Sequence, residues 1–487
     1  MDWRLNRNAL VLGLGLAVGT GWALAEEPAQ QPGKLAGLEL LTQGDQRADG
    51  GKSTEAEVLY QQAMEQLLPG IRHLPFKVTV KRDVTPRDKI RDVLLKEIAE
   101  DSSPEEFRAD ELAMKAFGLL PKEMDYTETL MKLLTEQIGA FYDPKTDTMH
   151  LILEPEEQLK KKPGFFAKLF GATGGFDKDN SKTVIAHELA HALADQHYDL
   201  HALSKAIKHD DDREMALSAL IEGEATLVMM AAQGKDWDGK ATADLPSEAL
   251  GQTMSMMAPM LRMIGGAQIS SVPPIMSEPL VFPYLQGMVF CARLTNSEGW
   301  PGIDTAYHNV PLSTEQILHP EKYRDQPDPP TDVDLGTLPS LDGWKELTRN
   351  VMGELQIGIL LKNQKASKTA AAGWDGDRFA LFEGPQGKLG LVWRTNWDSE
   401  ADAKEFFLAY AKYQQSRFGG DDVTPDATSV TREKDGAIYS LELRGPDVVG
   451  VEGFNKDEQS KLVEAAWKAQ LAVKVATPVA PPESPKP

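Results

Sequence analysis

The sequence has little cysteine and fewer positive than negative charges. Its 487 residues include one cysteine, Cys291, so we expect no internal disulfide and a small core residue rather than a nucleophile at this position. Lysine and arginine number 52 against 74 acidic residues, which leaves a net charge of -22. Because an acidic surface repels polyanions, we expect no nucleic-acid partner.

The N-terminal apolar stretch is too short to span a bilayer comfortably. It covers residues 9–21, follows the basic Arg4 and Arg7, and precedes the small residues of Ala23-Leu24-Ala25. This order is typical of a signal peptide, here residues 1–25. An uncleaved membrane anchor is the alternative, which the short length disfavours. We therefore expect an exported protein, periplasmic or secreted, with no stable membrane anchor after signal cleavage.

Changes in composition divide the rest of the chain into segments. Residues 26–55 are rich in Gln, Gly, Glu and Ala and are predicted to form a flexible leader, whereas residues 56–325 are predicted to form a mainly helical domain. Residues 326–340 are a Pro- and Asp-rich linker, and residues 341–474 are expected to form a small α+β domain. Residues 475–487 are Pro-rich and predict a disordered tail. The predicted fold class of the whole chain is α+β.

Hydrophobic periodicity predicts the individual elements. In the larger domain it predicts a strand at residues 77–80, helices at residues 105–119 and 126–138, a β-hairpin of residues 140–142 and 148–153, and a helix from near Lys182. In the smaller domain it predicts strands at residues 379–382, 389–395 and 437–443, and helices at residues 399–413 and 456–473. Trp393 and Trp397 are expected to lie in the core rather than to form a carbohydrate platform.

The pattern that carries chemistry is His187-Glu188-Leu189-Ala190-His191. Residues four apart lie on one face of a helix, so His187 and His191 can hold one Zn²⁺ ion through two imidazole nitrogens. Glu188 lies beside the first of these ligands, where its carboxylate can act as the general base toward a water on the metal. Apolar residues around this face indicate a buried helix.

A catalytic zinc site requires a third protein ligand and one open position. The candidate lies in an amphipathic helix that contains Glu222-Gly223-Glu224. Glu222 is the predicted ligand, and Gly223 would allow two helices to approach closely. Glu224 is the competitor, but it faces roughly 200° away from Glu222 around the helix, so both cannot bind the same ion.

These motifs resemble the gluzincin superfamily of zinc metallopeptidases, in which the Glu before Gly is the third ligand. Longer strings resemble a poorly characterised group of exported bacterial gluzincin-like proteins, and they occupy residues 139–144, 187–200, 313–323 and 373–378. The resemblance covers about residues 56–450. One departure is the length of the segment between His191 and Glu222, residues 192–221, which is longer than in the best-known gluzincins.

The resemblance implies a mainly helical zincin-like domain with a small sheet, in which an edge strand pairs with an extended peptide substrate. The strand predicted at residues 148–153 is the candidate for this edge. Hydrolysis also requires a group that stabilises the oxyanion. Tyr284 and His319 are the candidates by residue type and position, although residues of each kind are more often packed in a core or loop.

Four further polar residues follow the second histidine of the motif. Asp195, or alternatively Asp199, is a candidate to orient a histidine ligand. His197 and His201 lie one turn apart and could form a second metal site, but structural hydrogen bonds are the favoured interpretation.

The sequence therefore predicts an exported zinc metallopeptidase that hydrolyses peptide bonds in exported or envelope proteins. The alternative is a non-catalytic binding or scaffold protein of the cell envelope that keeps the zincin fold. Glu188 favours the enzyme, because a scaffold would not need a general base. The identity of the substrate and the oligomeric state are left open.

Overall fold

The computed structural model describes residues 32–101, 103–153, 178–253, 256, 271–362 and 369–475. The predicted signal peptide, the first residues of the predicted leader and the predicted tail from residue 476 lie outside the described residues. Within the described residues the chain combines long helices with β-sheets, so the α+β class predicted from the sequence is confirmed.

The first part of the chain is mainly helical. Its helices are α1 (Pro32–Asp49), α2 (Ser53–Arg72), α3 (Ile90–Asp101), α4 (Pro104–Phe117), α5 (Tyr126–Gln137), α6 (Lys178–Tyr198), α7 (Leu200–Lys205), α8 (Asp211–Gln233), α9 (Lys240–Ala243), α10 (Pro274–Glu298), α11 (Pro301–His308), α12 (Thr314–Leu318) and α13 (Pro320–Tyr323). Its strands are β1 (Lys81–Pro86), β2 (Ala140–Asp143) and β3 (Thr148–Leu153). The helices predicted at residues 105–119 and 126–138 and the predicted hairpin are confirmed.

The segment predicted as a flexible leader contains helix α1, so that prediction is wrong for residues 32–49. α1 packs closely on α2, and a Cβ atom at Gly44 would lie 2.5 Å from the Tyr60 ring. Asp45 accepts hydrogen bonds from the Tyr60 hydroxyl at 2.8 Å and from the Lys182 ammonium at 3.0 Å. These partners lie farther along the chain, which is why local composition did not predict an ordered helix.

The hairpin belongs to a three-stranded sheet with the order β1-β3-β2. β3 pairs in parallel with β1 and antiparallel with β2. The expectation that residues 148–153 form an edge strand open to substrate is therefore wrong, because both sides of β3 already have strand partners. The strand predicted at residues 77–80 begins instead at Lys81, because the Gln196 side chain occupies the backbone N–H and C=O groups of Val78.

α8 is the central helix of the larger core. It packs against α6, which carries the two histidines of the motif, and along α10. By length and composition α8 could span a membrane, but 83% of its most apolar window is buried inside the protein, as in a core helix. Cys291 on α10 is fully buried against the Leu220 carbonyl of α8, which confirms the expectation of a small core residue.

The last part of the chain is built on an antiparallel sheet. Its strands are β4 (Thr331–Asp334), β5 (Lys345–Asn350), β6 (Trp374–Glu383), β7 (Leu389–Trp397), β8 (Ser429–Lys434), β9 (Ala437–Arg444), β10 (Asp447–Phe454) and β11 (Gln470–Val473), and its helices are α14 (Gly353–Leu360), α15 (Glu400–Phe418) and α16 (Lys456–Ala466). Six strands pair in the order β5-β6-β7-β10-β9-β8, and β11 pairs with β4. The strands predicted at residues 379–382, 389–395 and 437–443 are confirmed as parts of β6, β7 and β9.

Both faces of the six-stranded sheet are covered. Alternate residues of β6 point to opposite sides, so Phe379 joins the core under α15 whereas Phe382 joins the core under α16. α4 also packs on the first face, where Phe117 meets the rings of Phe379 and Trp393 at 5.3 and 5.1 Å. Trp393 and Trp397 are 1% and 2% exposed, so the expectation that they are core residues is confirmed.

Two predictions around this sheet are wrong in detail. The helix predicted at residues 456–473 ends at Ala466, and residues 470–473 form strand β11. β11 pairs antiparallel with β4, which lies inside the segment predicted as a linker, residues 326–340. Strand pairing between distant segments outweighs local helical periodicity here.

Candidate metal centre

Helix α6 places two histidines one turn apart on a buried face. His187 and His191 are 0% and 1% exposed, and their Nε2 atoms lie 3.0 Å apart. α6 packs between α2 and α8, and its apolar residues belong to the larger core. The i to i+4 spacing seen in the sequence therefore brings two imidazoles to one point inside the protein.

Helix α8 brings a carboxylate to the same point. The Glu222 Oε2 atom lies 3.2 Å from His187 Nε2 and 3.6 Å from His191 Nε2, and Glu222 is 3% exposed. One ligand atom from each of the three residues lies within 4.8 Å of the others. Ligand atoms about 2.0–2.1 Å from a tetrahedral zinc ion lie about 3.3 Å apart, close to these separations. The three residues therefore fit a metal that takes two nitrogen ligands and one oxygen ligand.

The electrostatics of the three residues suit a cation. Burial lowers the pKa of His187 to about 3, and burial together with His187 lowers the pKa of His191 well below 6.5. Burial raises the pKa of Glu222 well above 4.5, although the nearby Tyr284 hydroxyl opposes this rise. Both imidazoles are thus neutral, the form that binds metal. Within the described residues neither Lys nor Arg pairs with Glu222, so a bound cation would supply the compensating charge.

Glu224, the competing ligand, lies in a different environment. Its carboxylate pairs with the buried Arg72 guanidinium and accepts a hydrogen bond from the Tyr307 hydroxyl. Arg72 also binds Asp304 at 2.7 Å and lies over the Trp300 ring, with its Cζ atom 5.1 Å from the ring centroid. Glu224 is therefore the partner of a buried cation, and Glu222 is the carboxylate that faces the histidines.

The expectation that Gly223 permits close helix packing is confirmed. A Cβ atom at Gly223 would overlap the backbone carbonyl of Gly287 on α10, and a Cβ at Gly287 would overlap the carbonyl of Ala219 on α8. The two helices therefore cross with their backbones in contact, which places α10 beside Glu222, the candidate ligand on α8.

The predicted general base and one predicted electrophile lie with this group. Glu188 is 0% exposed and follows His187 directly on α6. Tyr284 on α10 is 2% exposed, and its hydroxyl lies near enough to the Glu222 carboxylate to lower the pKa of that group. The Tyr284 ring faces the His187 imidazole, with centroids 6.1 Å apart and 26° between the planes.

The structure does not bring His319 to the metal group. It lies between α12 and α13, where its Nε2 atom is 3.0 Å from Glu354 Oε1 on α14. This hydrogen bond raises the pKa of His319, whereas burial opposes the rise. The prediction that His319 acts in catalysis therefore loses its geometric basis, because its ring is engaged by a carboxylate in another part of the fold.

Asp195 does not orient a metal ligand. Its carboxylate accepts hydrogen bonds from the Tyr142 hydroxyl at 2.9 Å and the Leu200 backbone N–H at 2.8 Å. The alternative, Asp199, accepts the Ala202 N–H at the start of α7. The buried Nδ1 atoms of His187 and His191, the two candidate ligands, have no hydrogen-bond partner within the described part of the chain. Both aspartates instead join α6 to its neighbours.

Other polar groups have structural explanations. His197 bonds the Pro75 carbonyl at 2.8 Å, in line with the structural interpretation. A second acidic group, Asp328, Asp375 and Asp398, brings carboxylate oxygens within 4.8 Å of one another. The Lys322 ammonium already pairs with Asp328 at 3.1 Å and with Asp398, so a cation of the protein itself serves two of these three carboxylates.

Sequence reasoning missed the residues that hold the site in place. Arg72, which distinguishes Glu224 from Glu222, lies more than a hundred residues before them, and no motif marks it. Asp212, in the first turn of α8, accepts the backbone N–H of Thr314 at 3.2 Å. For Thr314 the sequence offered one signal, the similarity of residues 313–323 to the gluzincin-like group. That similarity did not indicate what these residues do.

Comparison with known proteins adds one partial match. Residues 341–463 match a family model described as a domain of unknown function (DUF8575). This region corresponds to the six-stranded sheet with α14 and α15 and most of α16. No curated protein and no solved structure matches the chain.

Proposed function

We propose that the chain is an exported, gluzincin-like zinc metallopeptidase that hydrolyses peptide bonds in exported or envelope proteins. The observation that carries the proposal is the convergence of His187, His191 and Glu222 on one buried point, with Glu188 beside the first histidine. The zincin-like fold and the peptide substrate are supported by the sequence resemblance, and the exported location by the N-terminal pattern.

Each residue has a distinct chemical task in this proposal. His187, His191 and Glu222 hold the metal, which when bound supplies Lewis acidity toward a carbonyl oxygen. Glu188 accepts the proton of the attacking water and then delivers it to the leaving amine. Burial of the site strengthens these charge interactions, because the local dielectric constant is low.

A specific observation favours the alternative, a non-catalytic scaffold of the cell envelope. Glu188 is 0% exposed and the three candidate ligands are at most 3% exposed, so an extended peptide does not reach them in this conformation. An open metal position in an enzyme must become accessible to substrate. A scaffold would therefore need only a structural metal, whereas an enzyme would need a motion that opens the buried site to substrate.

The test compares the wild-type protein with Glu188→Gln and His187→Ala. Metal content is measured by elemental analysis, and cleavage is measured on casein and on a mixed peptide library. We expect zinc in the wild type and in Glu188→Gln, zinc loss in His187→Ala, and cleavage in the wild type alone. Glu188→Gln is nearly isosteric, so its loss of cleavage isolates the general base.

Two results would reject the enzyme. Cleavage by Glu188→Gln at the wild-type rate would exclude the proposed base. Stoichiometric zinc with no cleavage by the wild type on any substrate would favour the scaffold. A wild-type protein without metal would refute both interpretations.

A further inference from the structure

Tyr284 contacts two metal-ligand residues that come from different helices. Its hydroxyl acts on the Glu222 carboxylate of α8, where it opposes the rise in the pKa of Glu222. Its ring is nearly parallel to the His187 imidazole of α6, with 6.1 Å between centroids and 26° between planes. At 2% exposure, the side chain is enclosed by the core rather than directed into a cleft. Tyr284 is therefore placed to position the side chains that would bind the metal.

Backbone contact holds the part of α10 that carries Tyr284 close to α8. Gly287 is three residues further along α10, close to one helical turn, and it touches the backbone of Ala219 on α8. Any side chain at Gly287 or at Gly223 would push the two helices apart and withdraw the hydroxyl from Glu222. The helix crossing therefore fixes the backbone of α10 at Tyr284 relative to Glu222.

We propose that Tyr284 is a positioning residue for the metal: its hydroxyl orients the Glu222 carboxylate so that Oε2 faces the histidines, and its ring restricts rotation of His187. This inference rests on the proposed metal site, and it gives Tyr284 a role other than oxyanion stabilisation. Hydrogen-bond partners of metal ligands typically change metal affinity or activity by about 10- to 100-fold when they are removed.

The chain contains a matched control on the neighbouring helix. Tyr307 of α11 is also buried, and its hydroxyl donates to Glu224, two residues after Glu222 on α8. Tyr307→Phe thus removes a buried hydroxyl from a carboxylate that faces Arg72 and not the histidines. The comparison separates the loss of a buried hydrogen bond from the loss of ligand orientation.

The experiment uses the full chain as wild type, Tyr284→Phe and Tyr307→Phe. Zinc affinity is measured by competition with a chromophoric chelator, ligand geometry by the visible spectrum of the Co²⁺ form, and folding by thermal unfolding. We expect Tyr284→Phe to bind zinc about 10- to 100-fold more weakly and to change the Co²⁺ spectrum. Tyr307→Phe should lower the melting temperature but leave the zinc affinity and the Co²⁺ spectrum unchanged.

Three results would overturn the inference. They are equal zinc affinity of Tyr284→Phe and wild type, equal weakening in both variants, and a wild type that binds no zinc. If Tyr284→Phe keeps its zinc affinity and loses only kcat, the hydroxyl acts on substrate and the positioning role is wrong. Failure of the proposed hydrolysis is a separate outcome, because zinc affinity is measured equally well in a protein that cleaves nothing.

Discussion

Glu222 and Glu224 lie two residues apart on α8 and are both almost fully buried, at 3% and 2% exposure. The helix turns by about 200° between them, so they face different neighbours. Glu224 meets the Arg72 guanidinium, and Glu222 meets two neutral imidazoles. The same residue type therefore serves as a counter-ion in one case and as a candidate metal ligand in the other.

This difference predicts opposite effects for the two Glu→Gln variants. Glu222→Gln should lose zinc. The metal-free protein should be no less stable, because the substitution removes a buried carboxylate that pairs with no Lys or Arg among the described residues. Glu224→Gln should keep zinc but lose about 3 kcal/mol or more of unfolding free energy, because Arg72 is left as a buried charge that lacks this partner. Elemental analysis and urea unfolding measure the two effects. If Glu224→Gln alone lost zinc, the metal ligand would be Glu224 and the assignment to Glu222 would be wrong.

His319 predicts a pH effect away from the metal. Its hydrogen bond to Glu354 raises its folded pKa above 6.5, so the stabilisation is present below pH 6.5 and is lost as pH rises through the folded pKa. The stability difference between wild type and His319→Gln should therefore shrink as pH rises above 6.5. The side chain is 34% exposed, so solvent screening limits the effect to about 1 kcal/mol or less.

Urea unfolding from pH 5.5 to 9 measures this difference. A difference that grows with pH would mean that the Glu354 carboxylate does not stabilise the charged imidazole. Glu321 and Lys322 also act on this ring, in opposite directions, so their effects partly cancel.

At the residue scale, the local spacing of a motif was informative where a helix carries it. The four-residue spacing of His187 and His191 and the glycine beside Glu222 predicted which side chains the structure brings together. The position of Tyr284 beside Glu222 could not be predicted, because it depends on how α10 crosses α8. His319 had the right chemistry for an electrophile, but its place depends on the packing of α14.

Helices and strands differ in how far local pattern determines them. The helix predicted at residues 105–119 is realised as α4, where the Ser103 side chain caps the Glu106 N–H and Gly118 ends the helix in a left-handed conformation. The prediction that residues 148–153 form an edge strand was wrong. The residues around this strand do not indicate that it pairs in parallel with β1, which lies far away in the sequence. β11 was missed for the same reason, since its partner β4 lies far back in the chain.

At the scale of whole elements, the close crossing of α8 and α10 predicts that even a small side chain at Gly223 destabilises the protein. Gly223→Ala adds one methyl group that overlaps the Gly287 carbonyl carbon and oxygen. Because the atoms that the methyl group would overlap belong to the backbone, the helices must separate, and overpacking of this kind costs about 1–3 kcal/mol or more. We expect a lower melting temperature together with weaker zinc binding, since Glu222 and Tyr284 move apart.

The control for this substitution is Gly251→Ala. Among the described residues, a Cβ at Gly251 would meet the Val289 side chain alone, at an ordinary 3.7 Å, so this variant should bind zinc normally. Crystal structures or melting curves of the two variants would give the comparison. A Gly223→Ala protein with wild-type stability and zinc affinity would show that the two helices do not touch in solution.

At the scale of the whole molecule, the sheet-based part of the chain is docked on the helix that carries Glu222. The Asp211 N–H at the start of α8 donates to Asn350 Oδ1 at 3.0 Å, and the Arg378 guanidinium donates to the His209 carbonyl at 2.6 Å. A Cβ at Gly353 would overlap the Asp212 carboxylate. The first turn of α8 is therefore enclosed by residues more than a hundred positions later in the chain.

This docking gives the domain of unknown function a structural role that composition could not indicate. α4 belongs to the first part of the chain, and it also packs on the six-stranded sheet, through Phe117. The predicted boundary near residue 325 marks a change in sequence pattern, but the cores on its two sides share elements. We therefore expect the zinc affinity of the helical part to depend on contacts made by the sheet-based part.

Lys474 provides the test, because its ammonium pairs with Asp210 Oδ2 at 2.7 Å and both side chains are at most 10% exposed. Lys474→Met should lower the unfolding free energy by about 3 kcal/mol, since Asp210 remains as a buried charge. Burial tends to raise the Asp210 pKa, but Lys474 keeps it below 3.8, so this loss should appear above pH 3.8 and fade as pH drops through the folded pKa.

Lys468→Met, which breaks an exposed pair with Glu464, is the control and should change stability by about 1 kcal/mol or less. Weaker zinc binding in Lys474→Met alone would link the docked domain to the metal, whereas equal effects of both variants would contradict that link.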